Sequence, residues 1–258
     1  MQVKWALVTG GSRGIGKGIC IELAKKGCNV IVNYLSDEKQ AADTVSRVKA
    51  LGAEAYKLQA DVSKRKEVDE MVEDISSRDG LDILVNNAAV VKFEPFLEIT
   101  RDSWEFQMET NLAGAFNVGQ EVARHMVEKK IKGKIVFISS FNQEVPNHSM
   151  AAYCITKSGI RMLAKSMALE LSEHNINVNL VASGPVLTDI NKPQVKQFPG
   201  LKERIEKIAP LQRWGTVEDI AKAAVFLASP DSDYVTGSTI FVEGGIMINN
   251  GMFVNKSI

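Results

Sequence analysis

Cysteine is scarce in this chain: Cys20, Cys28 and Cys154 are its full complement. No two form a CxxC pair and their number is odd, so a disulfide framework is not expected and a reducing, cytoplasmic setting suits the composition. Histidine is equally sparse. His125, His148 and His174 lie far apart without Cys or carboxylate partners at ligand spacing, which argues against a bound metal. Excess charge is missing too, since acidic and basic residues number 31 each. No broad field exists to hold nucleic acid or an anionic membrane, and small-molecule chemistry fits better. No apolar run reaches the roughly 18 residues that a membrane span needs, and the opening MQVKWALVTGG enters a strand-like segment without a secretory pattern. Linkers, repeats and low-complexity tracts are also lacking. With 45% hydrophobic residues in 258, the expectation is one compact domain over residues 1–258.

What is present is alternation. Short β-branched runs at Val3–Thr9, Val30–Asn33, Ala55–Gln59, Ile83–Asn86, Ile135–Ser139, Asn177–Val181 and Thr239–Val242 read as strands. Several are almost wholly apolar, as strands buried on both faces must be. Helical patterns separate them near residues 15–26, 37–51, 64–78, 101–129, 151–173 and 217–228. The order implies right-handed βαβ crossovers and a doubly wound α/β fold with a seven-stranded parallel sheet flanked by helices on both faces. Ligands on such sheets bind beyond the carboxyl ends of the strands. An irregular stretch from Leu187 to about Pro210, with Pro193, Pro199 and Gly200, reads as a binding loop, a substrate lid around 187–214.

The first strand ends in Thr9-Gly10-Gly11-Ser12-Arg13-Gly14-Ile15-Gly16 just before a helix. Glycines let the backbone turn tightly and approach a phosphate, whose charge the free amides of the helix start attract. The spacing is not the G-x-G-x-x-G fingerprint, and Gly18 after Lys17 excludes the Walker pattern. Farther along, Tyr153 and Lys157 stand four apart on a helical pattern, thirteen residues after Ser140. They share a helix face, so a lysine charge near the phenol would favour its ionised form and make the tyrosine a usable acid or base.

In these motifs the chain resembles the short-chain dehydrogenase/reductase family over nearly its full length. The family's Thr-Gly-x3-Gly-x-Gly turn matches Thr9–Gly16, its Asn-Asn-Ala-Gly segment matches Asn86–Ala89, and its Asn, Ser and Tyr-x3-Lys set matches Asn111, Ser140, Tyr153 and Lys157. Ala89 replaces the last glycine of the second motif, and Ser183-Gly184 stands where Pro-Gly is usual. The resemblance implies an NAD(P)(H)-dependent oxidoreductase interconverting an alcohol and a carbonyl. Tyr153 would exchange the proton, Lys157 would lower its pKa and bind the nicotinamide ribose, Ser140 would polarise the carbonyl, and Asn111 would hold a water linking Lys157 to solvent. It further implies cofactor contacts from Gly10, Ser12, Arg13, Gly14, Ile15 and Gly16, from Tyr34 and Ser36, from Asp61 and Val62 near the adenine, from Asn87 and Ala88, from Tyr153 and Lys157, and from Gly184 and Thr188 near the nicotinamide. Val235–Gly237 and Glu243–Gly245 would form a closing segment.

An acidic residue at the end of the second strand would pair with a ribose 2′-hydroxyl and repel a 2′-phosphate. Tyr34 takes that place, while Arg13 and Ser36 could meet a phosphate, so NADP(H) is favoured with NAD(H) possible. Residues 141–150, between Ser140 and Tyr153, line the substrate pocket if both ends are catalytic; Gln143, Glu144 and His148 would suit a hydroxylated substrate. This segment resembles that of the family's glucose 1-dehydrogenases, which implies a sugar or polyol substrate, although Asn142 and Asn147 depart from the residues usual there. The general pattern also resembles 3-oxoacyl-acyl-carrier-protein reductases. A carrier protein would need a basic patch, which Lys192, Lys196, Lys202, Arg204 and Arg213 could supply, with Glu203 and Glu206 interleaved. A non-catalytic dinucleotide sensor on the same fold is the alternative of another class. The resemblance also implies a homotetramer, or less often a dimer, built on the helices near 101–129 and 151–173; Ile246–Phe253 is apolar enough to pack on a neighbouring subunit.

Overall fold

Alternation within each strand dictates how the layers form. In β1 (Trp5–Val8), Trp5 and Leu7 join one apolar cluster while Ala6 and Val8 join another on the opposite face. Both faces of the strand are thus covered, because side chains two apart share a side and neither set is polar. The computed structural model describes residues 4–78, 80–188, 195 and 199–249. In it β1 is followed by β2 (Asn29–Tyr34), β3 (Ala55–Gln59), β4 (Ile83–Asn86), β5 (Lys134–Ser140), β6 (Asn177–Ser183) and β7 (Thr239–Val242). All pair in parallel in the order β3-β2-β1-β4-β5-β6-β7. The order reverses between β1 and β4, and the crevice there opens at the carboxyl ends.

On one face pack α3 (Arg65–Arg78), α5 (Gly114–Glu128) and α6 (Ala151–Leu171); on the other pack α1 (Gly14–Lys25), α2 (Glu38–Lys49) and, after α7 (Leu201–Ile208), α8 (Val217–Ala228). The contact of α1 with α8 depends on Gly18, where a Cβ would lie 2.1 Å from Val217 Cγ1. The start of α8 is fixed by a capping box in which Thr216 and Asp219 bond each other's backbone amides. Arg213 grips the same carboxylate and holds its pKa down to about 2.

Three expectations are corrected. The helix expected over 101–129 is divided into α4 (Arg101–Gln107), a π-helical turn (Met108–Ala113) and α5. The wide turn carries Asn111, whose amide bonds Val90 N and O at 2.8 Å each, a tertiary tie that helical periodicity cannot express. Second, β5 and β6 run on to Ser140 and Ser183, which pair with each other, because polar residues there gain ladder partners. Third, the irregular stretch contains α7. The remainder of the expected lid at 189–194 and 196–198, with Lys192, Pro193 and Lys196, lies outside the described residues, as do Val3 and 250–258 with Met252 and Phe253.

Thr216→Ala is expected to lower stability by about 1 kcal/mol through loss of the cap. Gly184→Ala is expected to cost more, since its methyl would stand 2.5 Å from the Glu243 Cα, a backbone atom that cannot swing aside. Urea denaturation ranks the two, and a native midpoint for Gly184→Ala would contradict the packing.

Candidate active site

The carboxyl end of β1 is tied to that of β4 by one buried hydroxyl. Thr9 Oγ1 accepts from Asn87 N at 2.8 Å and Ala88 N at 3.0 Å, and Asn87 Nδ2 returns a bond of 2.8 Å to Thr9 O. This knot brings the glycine turn against β4. Gly10 and Gly14 have φ of 60° and 53°, and a Cβ on Gly16 would meet Gly10 O at 2.3 Å. Arg13, the N-cap of α1, makes no side-chain cap bond, and no acidic residue occupies the first turn, so the helix start is open to an anion.

The turn forms one wall of a cleft of about 400 Å³. Gly10, Ser12, Arg13, Gly14, Ile15 and Gly16 line it, with Ser36, Asp61, Val62, Asn87, Ala88, Tyr153, Lys157 and Thr188. A Cβ on Gly14 would lie 3.8 Å from the Thr188 methyl, so this threonine sits over the turn. The shape and its donors fit a dinucleotide, with the open backbone amides at the start of α1 facing the cleft for a phosphate.

Tyr153 and Lys157 project from the first turns of α6 into the same cleft. Lys157 Nζ is buried, donates to Ile138 O at 3.0 Å and lies 5.5 Å from the centre of the Tyr153 ring. Burial pushes each group toward its neutral form: the ammonium falls to about 8, and the phenol, despite some surface left open to the cleft, rises to about 12. A hydrogen bond with Ser140 opposes the rise of the phenol. The expected lowering of the tyrosine pKa by Lys157 is not seen here; desolvation sets the direction.

The remaining expected residues separate into three groups. Ser140, at the end of β5, is buried and bonds Asn142 N and Oδ1. Asn111 is buried behind the cleft, with Nδ2 engaged by Val90 O and Thr156 Oγ1. Gly184 packs on Glu243 and does not line the cleft. Gly237 and Gly244 bond Val178 and Leu211 at either end of β7, also away from the cleft lining. Tyr34 needs correction: it is buried with Val30 and Val32 and is absent from the cleft lining. Strand alternation placed it on the core side, and Leu35, Ser36 and Asp37 line the cleft instead. Asp37 escaped notice, though the Asp37 to Gln40 spacing is a helix-start signal: its carboxylate accepts from Gln40 N at 3.0 Å and Nε2 at 2.6 Å. Asp61, likewise engaged, accepts from Ser63 N and Oγ. Among the described residues no group of three or more His, Cys, Asp or Glu is placed to hold a metal, and no helix is long and apolar enough to cross a membrane.

Known proteins are similar to this chain over nearly its full length. A family model described as enoyl-(acyl carrier protein) reductase matches residues 10–247. A 3-oxoacyl-[acyl-carrier-protein] reductase of Staphylococcus epidermidis is 39% identical over 244 residues, covering 94% of this chain and 98% of the relative. Glucose 1-dehydrogenase 2 of Bacillus subtilis is 34% identical, with 95% of each chain covered. The crystal structure of a gluconate 5-dehydrogenase from Burkholderia cenocepacia, in complex with NADP and tartrate, superposes with a TM-score of 0.91 at 35% identity, covering 96% of each chain.

The Lys157 pKa carries a stability signature. Its native value of about 8 lies below the unfolded value of 10.5, so between them the unfolded chain binds more protons and stability rises with pH. The phenol, raised from 10.0, opposes this only above its unfolded value. From pH 8 to 10 the wild type should gain stability relative to Lys157→Met. A constant difference in urea midpoints across that window would contradict the buried ammonium.

Proposed function

Since the chain belongs to the short-chain dehydrogenase/reductase family of NAD(P)-dependent oxidoreductases acting on CH–OH groups, we propose that it interconverts a secondary alcohol and a carbonyl on a sugar or polyol, with Tyr153 as acid/base. The observation that carries this reading is the convergence of Tyr153 and Lys157 on the cleft walled by the glycine turn. The bound dinucleotide would supply or accept the hydride. The protein's task is then positioning and proton transfer. Tyr153 gives its phenolic proton to the carbonyl oxygen, or takes one from the alcohol. Lys157 stabilises the phenolate left behind, an attraction that strengthens as water leaves the cleft, and Ser140 bonds the reacting oxygen. Asn111 acts by holding the Val90 backbone at the cleft wall.

A small hydroxylated substrate suits the polar groups after Ser140, where Asn142 and Gln143 are buried and the Gln143 amide oxygen is without a partner. The relatives named for glucose and gluconate support this reading. The 39% identical relative supports a second one, reduction of a 3-oxoacyl group on a carrier protein. The candidate basic patch favours that less, since Lys202 pairs with Glu206 and Arg213 with Asp219. For the cofactor we favour NADP(H). Arg13 and Ser36 flank the cleft, and the Asp37 carboxylate that could repel a phosphate is engaged in capping α2. We further propose a cytoplasmic homotetramer joined through the outer faces of α5 and α6, where Phe116, Ile155, Met162 and Leu169 are exposed.

A screen following reduced-cofactor absorbance with aldoses, polyols and acetoacetyl thioesters tests the substrate class. Activity on thioesters alone would replace the sugar reading with the second. Tyr153→Phe should bind cofactor and lose about 10²- to 10⁴-fold in turnover; near-native rates would remove the acid/base assignment. Arg13→Ala should reduce kcat/KM for NADPH by about tenfold and leave NADH little changed. Equal losses with both cofactors would refute the role of Arg13 at the 2′-phosphate.

A further inference from the structure

Ser103, Gln107 and Asn111 stand four residues apart and all are buried, the first two 1% exposed and the third 0%. Each holds one position of the segment 90–94 that leads away from β4, in opposite chain order. Asn111 bonds Val90 N and O, Gln107 Oε1 accepts from Lys92 N at 3.2 Å, and Ser103 Oγ donates to the Glu94 carboxylate. The rungs register because four residues of helix advance about 6 Å and two residues of extended chain about 6.6 Å. A continuous α-helix would spoil the last rung, since every four residues overshoot a full turn by about 40°. The π-helical turn at Met108–Ala113 holds more residues per turn and brings Asn111 back into line.

The ladder joins two parts of the site. Val90, at one end, lines the cleft. Glu94, at the other, donates its own N–H to Ser149 O at 2.9 Å. Ser149 has a φ of 59°, a left-handed conformation that residues with a side chain seldom adopt. It precedes Met150, the N-cap of α6, whose carbonyl accepts from Cys154 N, and Tyr153 is the third residue of that helix. We propose that Gln107 and Ser103 are positioning residues: by fixing the segment 90–94 they keep Ser149 left-handed and so set the entry of the helix that presents Tyr153 to the cleft. Asn111 alone cannot do this, because it grips only the Val90 end. The glycine turn is held separately, by Thr9 and Asn87, so cofactor binding and tyrosine placement have different supports. The catalytic consequence rests on the reading of Tyr153 as acid/base.

Hydrogen exchange followed by mass spectrometry on the full chain reads the ladder without a substrate. Gln107→Met keeps a side chain of similar length and removes the acceptor. Exchange over 90–94 and over 147–154 should quicken by about tenfold, the worth of one hydrogen bond, while the turn at 10–16 exchanges as in the wild type. The Kd values of NADPH and NADH, read by their fluorescence, should stay within about twofold. In a Ser149→Gly background the left-handed conformation carries no steric cost. There Gln107→Met should still quicken 90–94 but leave 150–154 at the rate of that background. Faster exchange confined to 90–94, spread evenly over the chain, or equal over 150–154 in both backgrounds overturns the proposal. Ser103→Ala serves the same arms if the methionine variant folds poorly. In the aldose and acetoacetyl-thioester assays, Gln107→Met should lower kcat by about tenfold to 10²-fold; an unchanged kcat would also overturn the proposal. Wild-type protein inactive in every assay would count against the acid/base reading, a failure that the exchange pattern does not share.

Discussion

The hydroxyl of Thr9 is the interaction on which the site depends. β1 and β4 are adjacent, yet the chain leaves them in opposite directions across the sheet, so their carboxyl ends flank the crevice. Thr9 Oγ1 ties the two ends by accepting two backbone amides from the β4 side, while Asn87 closes the knot through Thr9 O. The glycine turn is thereby pressed against Asn87 so closely that residue 16 has no room for a side chain. Buried donors and acceptors arranged in this way are costly to leave unpaired, so the knot both orders the loop and fixes the floor of the cleft.

A second consequence of the fold is the price of charge in the cleft. Lys157 is an ammonium on a helix buried against β5, with the Ile138 carbonyl as its one described hydrogen-bond partner. Desolvation weakens its hold on a proton and strengthens that of the Tyr153 phenol, a rise that the Ser140 hydrogen bond opposes only in part. Both groups are held in one wall of the cleft. Around them several neutral polar groups are engaged with one another: Asn111 with Val90 and Thr156, Ser140 with Asn142, and Asn142 with Val145. Such a network holds the side chains around the pair in place without adding charge.

Much of the fold was legible because apolar strands and helical periods repeat the same physical demand at short range. The strands Ala55–Gln59, Ile83–Asn86 and Thr239–Val242 and the helix Val217–Ala228 agree with expectation at both ends. The π-helical turn was not legible, since one extra residue in a helix leaves the apolar pattern nearly intact while its cause, the tie of Asn111 to Val90, lies 21 residues away. Tyr34 was misplaced by the phase of a single strand, although Val30 and Val32 on the same side were a signal of its burial. Asp37 could have been found from its spacing to Gln40.

By itself the amino-acid order determined the layered α/β architecture, the glycine turn before α1 and the Tyr153–Lys157 spacing, all of which are local patterns in residue type. Only the tertiary structure decided which groups share the cleft, which proton each one holds and how strongly. Those properties depend on burial and on partners distant in sequence: Ile138 for Lys157, Asn87 for Thr9, Thr188 over Gly14. Desolvation and hydrogen-bond direction are properties of an enclosed volume, and a linear pattern encloses none.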